Sequence, residues 1–201
     1  MKTLNSILTL DQLRYVEDVS PAEMSRRLIA GISNGLVVVA CSEMDGVDSK
    51  FPDDPELPFY IWQNLGACVS DSIGLETVVE DKGITDVVVF GHTHCGLIEA
   101  GLDTRNRNQF PESLYSQLCS RTEATRHAAL ERFGEKFDRE VDISATKDFV
   151  IRQSACLLTM DTVLRRAESG LLRVHTWILN SENSEVETFN PAKRVFETIW
   201  S

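Results

Sequence analysis

Two apolar runs rich in β-branched residues stand out in the first half of the chain. Leu36 to Ala40 reads LVVVA, and Asp86 to Phe90 reads DVVVF. Continuous apolar runs of this length are typical of parallel strands that are buried on both faces of a sheet. Phe59 to Trp62 is a weaker third strand candidate. These segments predict the buried centre of a β-sheet.

Helix-spaced apolar positions lie before and between these strands. A helix is predicted over Pro21 to Ile32, because Ser20 is a suitable N-cap and proline is favoured at the first helical position. A second helix is predicted over Ser70 to Lys82, with Gly83 as its stop signal. The stretch Asp45 to Pro58 carries three prolines and a cluster of acids, and we interpret it as a loop. The helix predicted over Ser70 to Lys82 lies between the predicted strands Phe59 to Trp62 and Asp86 to Phe90, which predicts a β-α-β crossover.

The second half of the chain is mostly helical. Apolar spacing predicts helices over Glu112 to Phe133 and over Thr146 to Glu168. Leu171 to Leu179 is then a predicted strand. The short segment Val186 to Phe189 follows a polar turn and is predicted to pair with this strand as a hairpin. The alternation of buried strands with helices predicts an α/β fold. In such sheets, ligands bind at the carboxyl ends of the strands.

Composition and charge narrow the functional classes. A chain of 201 residues with 42% hydrophobic residues is most simply one domain with a substantial core. A net charge of −11 without a basic cluster argues against nucleic acid as a partner. No apolar run approaches the roughly 18 residues of a membrane span, and acidic residues interrupt the N-terminus before a secretory signal forms. We therefore expect a soluble, cytoplasmic protein whose five cysteines are thiols or metal ligands.

Two of the predicted strands run directly into metal-ligating residues. LVVVA is followed by Cys41, and DVVVFG is followed by His92 and Cys95. If these strands are neighbours, two thiolates and an imidazole converge at one edge of the sheet. That set is found in catalytic zinc sites with an open fourth position. The alternative interpretation is that Cys41 is a core thiol and that the His-x-x-Cys spacing arises by chance.

The residues around these ligands resemble a known family. The stretch GHTHCG, together with an upstream strand that ends in Cys41 and Ser42, resembles the zinc site of β-class carbonic anhydrases, whose motifs are C-x-D-x-R and H-x-x-C. FYIWQNLGA is similar to the family's second strand and the turn that follows it. LRVHTWILNSENSEVETFN is similar to its late strand and hairpin. The resemblance extends over most of the chain from about residue 20.

The resemblance implies a specific architecture and activity. It implies a mostly parallel β-sheet with an antiparallel edge strand flanked by helices, in one zinc-binding domain over residues 1–201, with an N-terminal helical arm of about 1–33 and a core of 34–201. It implies a homodimer or a multiple of dimers. Cys41, His92 and Cys95 match the family's zinc (Zn²⁺) ligands. The implied reaction is the lyase-type reversible hydration of carbon dioxide to bicarbonate by a zinc-bound hydroxide.

The sequence departs from the family in the first motif. Glu43 and Asp45 stand where the family has aspartate and arginine, a pair in which the arginine holds the carboxylate away from zinc. Glu43 either occupies the fourth zinc position or accepts a proton from the zinc-bound water, and the sequence leaves both open. A third interpretation is that Asp48, Ser49 and Lys50 supply the carboxylate and the cation.

These substitutions predict weak activity. Zinc with two thiolates and one neutral histidine has zero formal charge, and nearby anions raise the pKa of its water further. Gln63 also replaces an arginine that is common in the family turn. We therefore expect slow carbon dioxide hydration, with Glu43 and Asp45 as candidate catalytic residues. The alternatives are a zinc hydrolase for another small electrophile, such as carbonyl sulfide or carbon disulfide, and a catalytically silent zinc protein.

The remaining histidines receive simpler interpretations. His94 lies between two proposed ligands, and a residue at that spacing should point away from them. We expect it to be exposed or to support the ligands from outside. His175 alternates with Val174 and Thr176 on a predicted strand, which favours a structural or interface role.

Overall fold

The computed structural model describes residues 20–51, 54–103, 108, 110–135 and 138–200. Its centre is a six-stranded sheet with the order β2-β1-β3-β4-β5-β6. The strands are β1 Leu36–Cys41, β2 Phe59–Asn64, β3 Asp86–His92, β4 Arg173–Leu179, β5 Val186–Asn190 and β6 Val195–Trp200. The first four in the spatial order are parallel to one another, β5 is antiparallel to β4, and β6 is antiparallel to β5. The predicted fold class is therefore confirmed, although β6 lies beyond the antiparallel strand β5 and forms the edge of the sheet.

Helices cover both faces of this sheet. They are α1 Pro21–Ile29, α2 Leu75–Asp81, α3 Gly96–Leu102, α4 Glu112–Phe133, α5 Arg139–Leu157 and α6 Asp161–Glu168. Val38 belongs to a core with residues of α1, α3 and α4, whereas Val37 and Val39 belong to a second core with residues of α2 and α6. All of β1 is therefore buried, as its apolar run predicts. Among the described helices, none has the length and apolar character needed to cross a membrane.

Several predicted helix boundaries are wrong for local reasons. The helix predicted over residues 70–82 begins only at Leu75, because Gly74 adopts a φ of 85° and leaves Ile73 exposed. The helix predicted over residues 146–168 is two helices, α5 and α6. The break follows Leu157, where the Thr159 hydroxyl donates to the Cys156 carbonyl at 2.7 Å and competes with helix continuation.

The first described helix, α1, begins after a serine N-cap. The Ser20 hydroxyl accepts a hydrogen bond from the Glu23 amide at 3.2 Å, and Pro21 occupies the first turn of α1. The helix ends at Ile29, before the predicted Ile32, which is exposed. Residues 1–19 of the predicted N-terminal arm lie outside the described residues. The division into arm and core stays a prediction.

The end of the sheet opposite the strands' carboxyl ends holds a buried carboxylate. Asp86 accepts hydrogen bonds from Arg173 Nε and Nη2 at 2.8 Å each, from His175 Nε2 at 2.9 Å and from the hydroxyls of Ser33 and Thr85. Burial by itself would raise the pKa of Asp86. The bonds and charges of His175 and Arg173 outweigh it and hold the pKa well below its usual range.

Removing the charge of Asp86 should therefore destabilise the fold. We expect Asp86→Asn to lower the free energy of unfolding by about 3 kcal/mol at pH 7, because it leaves buried partners imperfectly paired. The depressed pKa means that the carboxylate's contribution is fully present above about pH 4 and is lost as the pH falls further through the folded-state value. Urea unfolding at pH 7 and pH 3 measures both effects.

The exposed residue Asp81 at the end of α2 supplies a matched control. Asp81→Asn removes the same charge and should change the stability by less than about 0.5 kcal/mol. Equal losses in the two variants would contradict a specific role for the buried network. A difference between pH 7 and pH 3 that is unchanged in Asp86→Asn would also contradict it.

Candidate metal centre

Four residues with metal-ligating atoms converge at the carboxyl edge of the parallel strands. Atoms of Cys41, Glu43, His92 and Cys95 lie within 4.8 Å of one another. The Cys41 and Cys95 sulfurs are 3.8 Å apart, and Glu43 Oε2 lies 4.0 Å from Cys41 Sγ and 3.5 Å from His92 Nε2. The two cysteines and the histidine are buried, whereas the Glu43 side chain is 40% exposed. The predicted ligands and Glu43 are thus brought together.

Sheet register and one turn position Cys41. It ends β1, which pairs with β3, the strand that ends at His92. The backbone amide of Gly66 donates to Cys41 Sγ at 3.4 Å from the turn after β2. Gly66 adopts a φ of 79°, and a Cβ at this position would collide with the Leu97 side chain, so glycine is required here. The turn in FYIWQNLGA therefore delivers an amide to a proposed ligand.

Backbone bonds fix the orientation of the His92 ring. Nδ1–H of His92 donates to the Thr93 carbonyl at 3.0 Å, so in the neutral ring Nε2 carries the lone pair. The Ser181 hydroxyl donates to the same carbonyl at 3.0 Å and ties this loop to the turn after β4. Nε2 is buried and has no hydrogen-bond partner among the described residues. A buried imidazole nitrogen in this state is suited to bind a metal ion.

Glu43 is held against the start of α3. Its Oε2 accepts a hydrogen bond from the Gly96 amide at 2.9 Å. A Cβ at Gly96 would lie 2.6 Å from Glu43 Oε1, so glycine makes room for the carboxylate. The position of this side chain is thus compatible with both interpretations from the sequence, a fourth ligand and a nearby proton acceptor.

The proton distribution in the cluster favours a cation. The hydrogen bond from the Cys95 thiol lowers the pKa of Cys41 against the effect of burial, and that shared bond together with burial raises the pKa of Cys95. Burial would lower the pKa of His92, but contact with the Cys41 thiolate raises it. A divalent ion would stabilise both thiolates, so that the two sulfurs would no longer compete for one proton.

The distances also fit zinc. Tetrahedral Zn–S bonds of about 2.3 Å place two sulfurs about 3.8 Å apart, and Cys41 and Cys95 show 3.8 Å. Two thiolates, an imidazole and a carboxylate are all established zinc ligands. The residues present therefore fit a zinc ion.

The other candidate site residues predicted from the sequence are not in the cluster. Asp45 lies in an exposed turn after Met44 and is not one of the four clustered residues. Lys50 ends a short helical turn and places its ammonium 4.9 Å from the centre of the Trp200 ring. The interpretation in which Asp48 and Lys50 supply the carboxylate and the cation therefore receives no support from the described contacts. Gln63 Nε2 donates to the Met44 carbonyl at 2.9 Å and so contacts the loop that carries Glu43.

Sequence reasoning missed the groups that orient the ligands. The amides of Gly66 and Gly96 and the Ser181 hydroxyl come from segments distant in sequence. The glycines are the only visible signal, since each permits a close approach that a Cβ would block. His94 is exposed as predicted, but it also contacts three carboxylates.

A parallel α/β sheet with two thiols and an imidazole at its carboxyl edge defines a class of α/β proteins with a candidate metal site at the strand ends. The sequence model of the family described as carbonic anhydrase matches residues 56–186. That range includes His92 and Cys95 and begins after Cys41, where the first motif is altered. The chain therefore belongs to the β-carbonic anhydrase family.

Individual relatives agree with this assignment. The chain is 25% identical to a carbonic anhydrase of Pseudomonas aeruginosa over 93% of this chain and 88% of that one. It is 27% identical to a carbonic anhydrase of Synechocystis sp. over 82% of this chain and 64% of the relative. The fold is similar to that of the β-carbonic anhydrase CcaA, with a TM-score of 0.70 at 21% identity over 87% and 88% of the two chains. It is also similar to a tetrameric β-carbonic anhydrase from Sordaria macrospora, with a TM-score of 0.60 at 17% identity over 85% and 83%.

Proposed function

We propose that this protein is a zinc-dependent lyase that reversibly hydrates carbon dioxide to bicarbonate, with Cys41, His92 and Cys95 as zinc ligands. The observation that carries the proposal is the buried, unpartnered Nε2 of His92, which faces two thiols 3.8 Å apart. Membership of the carbonic anhydrase family supports the reaction type. Bound zinc would supply an acidified water and a Lewis acid for attack on a small carbonyl-like substrate.

The protein's own residues prepare this site. The Thr93 carbonyl selects the His92 tautomer that leaves Nε2 free, and the Gly66 amide donates to Cys41 and lowers the basicity of its thiolate. Burial of Cys41, His92 and Cys95 keeps competing water away from the ligand atoms. Glu43 is the most exposed of the four and lies on the open side, where substrate would enter.

With zinc bound, Glu43 would be the fourth protein ligand in the resting protein. Its Oε2 is 3.5 Å from His92 Nε2 and 4.0 Å from Cys41 Sγ, close to the separations of about 3.4 to 3.6 Å between ligands of one tetrahedral zinc. Asp45, at the family's arginine position, is exposed and negative, so it offers no positive charge to draw the carboxylate away. Glu43 would thus hold zinc in the resting protein, and its carboxylate, once released from the metal, would accept a proton.

This arrangement predicts a specific pH dependence. We expect carbon dioxide hydration to be slow at pH 7 and to rise at least about tenfold by pH 9, because hydroxide displaces a carboxylate more readily as its concentration rises. Glu43→Gln, which replaces the anion by a neutral amide of the same shape, should flatten that rise. Stopped-flow hydration assays on zinc-loaded protein measure both. Family-level turnover of the wild-type protein at pH 7, or an unchanged pH profile in Glu43→Gln, would contradict the proposal.

The position of Glu43 also favours a second candidate function. A zinc site closed by four protein ligands is typical of structural zinc. In that case the protein is a catalytically silent relative whose metal serves folding or assembly. A crystal structure above pH 8 separates the two candidates. Glu43 still on zinc at that pH, with no measurable hydration, would favour the silent protein.

We further propose that the protein assembles as a homodimer or a multiple of dimers. The support is the resemblance to tetrameric β-carbonic anhydrases from Sordaria macrospora. A location in the cytoplasm remains a prediction from the sequence.

A further inference from the structure

A second group of metal-ligating side chains lies beside the proposed zinc centre. Ligand atoms of His94, Glu99 and Asp142 lie within 4.8 Å of one another. His94 precedes Cys95, Glu99 is on α3 and Asp142 is on α5. They line a cavity of about 340 Å³ together with Leu102, Asp103, Asp138 and Arg139. The group contains no thiol, and it shares no residue with the first cluster.

The His94 ring is oriented by a third carboxylate. Nε2 of His94 lies 3.2 Å from Glu182 Oε1, and Glu182 is itself paired with Arg139. If Nε2–H donates to Glu182, Nδ1 carries a lone pair. That lone pair faces Asp142 Oδ2 at 3.1 Å and Glu99 Oε1 at 3.7 Å. Three acceptor atoms then converge, as they do around a metal whose histidine ligand is oriented by a carboxylate.

The two carboxylate oxygens of Asp142 differ in their hydrogen bonding. Its Oδ2 accepts a hydrogen bond from the His94 backbone amide at 3.3 Å. Its Oδ1 is enclosed and has no hydrogen-bond partner among the described residues. Burial and the neighbouring Glu99 charge raise the pKa of Asp142, which is the direction expected for carboxylates that repel one another. A bound cation would relieve that repulsion, and a cation held by both carboxylate oxygens of Asp142 would also satisfy Oδ1.

The backbone at His94 is also unusual. Its φ of 59° lies in the left-handed region, which is uncommon for a residue other than glycine. The bond from its amide to Asp142 helps to hold this conformation. In this conformation, Nδ1 of the His94 ring lies 3.7 Å from Glu99 Oε1 and 3.1 Å from Asp142 Oδ2.

We propose that His94 Nδ1, Glu99 and Asp142 bind a divalent cation next to the cavity. Bond lengths of about 2.1 Å separate neighbouring ligand atoms by about 3.0 to 3.5 Å. The distance of 3.1 Å between His94 Nδ1 and Asp142 Oδ2 meets this range. The Glu99 side chain is 49% exposed and has room to shorten the 3.7 Å distance between its Oε1 and His94 Nδ1. One imidazole and two carboxylates suit Mn²⁺ or Zn²⁺, and the open side leaves positions for water. This site is independent of carbon dioxide hydration.

Manganese separates the two sites, because thiolates favour zinc and carboxylates accept manganese. Protein carrying one equivalent of Zn²⁺ is titrated with Mn²⁺, and the free ion is measured by electron paramagnetic resonance. We expect one Mn²⁺ per chain with zinc content unchanged. Pulsed measurements should show coupling to one imidazole nitrogen. Asp142→Asn and Glu99→Gln should each weaken binding about 10- to 100-fold.

Glu168→Gln at the exposed end of α6 is the matched control, since it removes one negative charge away from the cavity. It should leave Mn²⁺ affinity within about twofold. The proposal is overturned if no Mn²⁺ binds, if Mn²⁺ displaces zinc, or if bound Mn²⁺ shows no nitrogen coupling. It is also overturned if Glu168→Gln weakens binding as much as the site variants. Absence of binding would mean that His94 contacts the carboxylates without an intervening cation. Circular dichroism confirms folding, and the exposed Glu99 gives a variant that does not disturb the core.

Discussion

Replacing Cys41 by serine should abolish zinc binding and lower the melting temperature by roughly 8 to 16 °C. A ligand at 1,000 times its dissociation constant stabilises a protein by about 4 kcal/mol, and a protein of about 200 residues loses about 2 to 4 °C per kcal/mol. Serine lacks the soft donor that zinc prefers, and its hydroxyl would be buried beside Cys95. Metal analysis and thermal unfolding with and without a chelator measure both effects.

Cys156→Ser is the matched control for this change. Cys156 is an exposed thiol on α5 and belongs to neither metal-ligating group. Its substitution should leave the zinc content at one per chain and the melting temperature within about 2 °C. Full zinc content in Cys41→Ser would contradict the proposed ligand set. Chelated wild-type protein that stays folded and regains activity with added zinc would contradict the catalytically silent alternative.

The sheet centre and the three proposed ligands could be predicted from the sequence for the same physical reason. Each residue of β1 and β3 is buried, so both strands read as continuous apolar runs. A polar or sulfur-containing residue directly after such a run must lie at the carboxyl edge of the sheet. Cys41 and His92 meet there because β1 and β3 are neighbours.

Elements whose stability comes from distant contacts could not be predicted in this way. β6 is largely exposed and has no continuous apolar run, and its pairing with β5 defines it. α3 is a short helix whose first amide binds Glu43, a residue 53 positions earlier. The orientation of Glu43 likewise depends on the lack of a side chain at Gly96. Local periodicity carries none of this information.

The same limit applies to the group around His94. Its neighbours Glu99 and Asp142 come from two helices, and Glu182 comes from the turn after β4. In the sequence they are ordinary surface acids among the 31 aspartates and glutamates. Only the tertiary fold places three of them around one imidazole. Part of the chain's excess negative charge is therefore concentrated around this cavity.

Restoring the family's charge pattern should increase activity. We expect the double variant Glu43→Asp with Asp45→Arg to hydrate carbon dioxide about 10 to 100 times faster at pH 7 than the wild-type protein, the scale of effects from residues that support metal ligands. The shorter carboxylate reaches less easily between Cys41 and His92, and the guanidinium can hold it in a charge-assisted pair. Stopped-flow assays at matched zinc content measure the gain.

Asp48→Arg, combined with Glu43→Asp, controls for net charge. Asp48 is exposed on the same loop, so this variant makes the same charge change at a position outside the cluster. It should stay within about threefold of Glu43→Asp alone. An equal gain with Arg at position 48 would assign the effect to the change in overall charge near the site and not to a guanidinium at position 45. No gain in the zinc-loaded Asp45→Arg double variant would mean that the fourth ligand position does not limit turnover, and the closed resting site proposed for Glu43 would then be wrong.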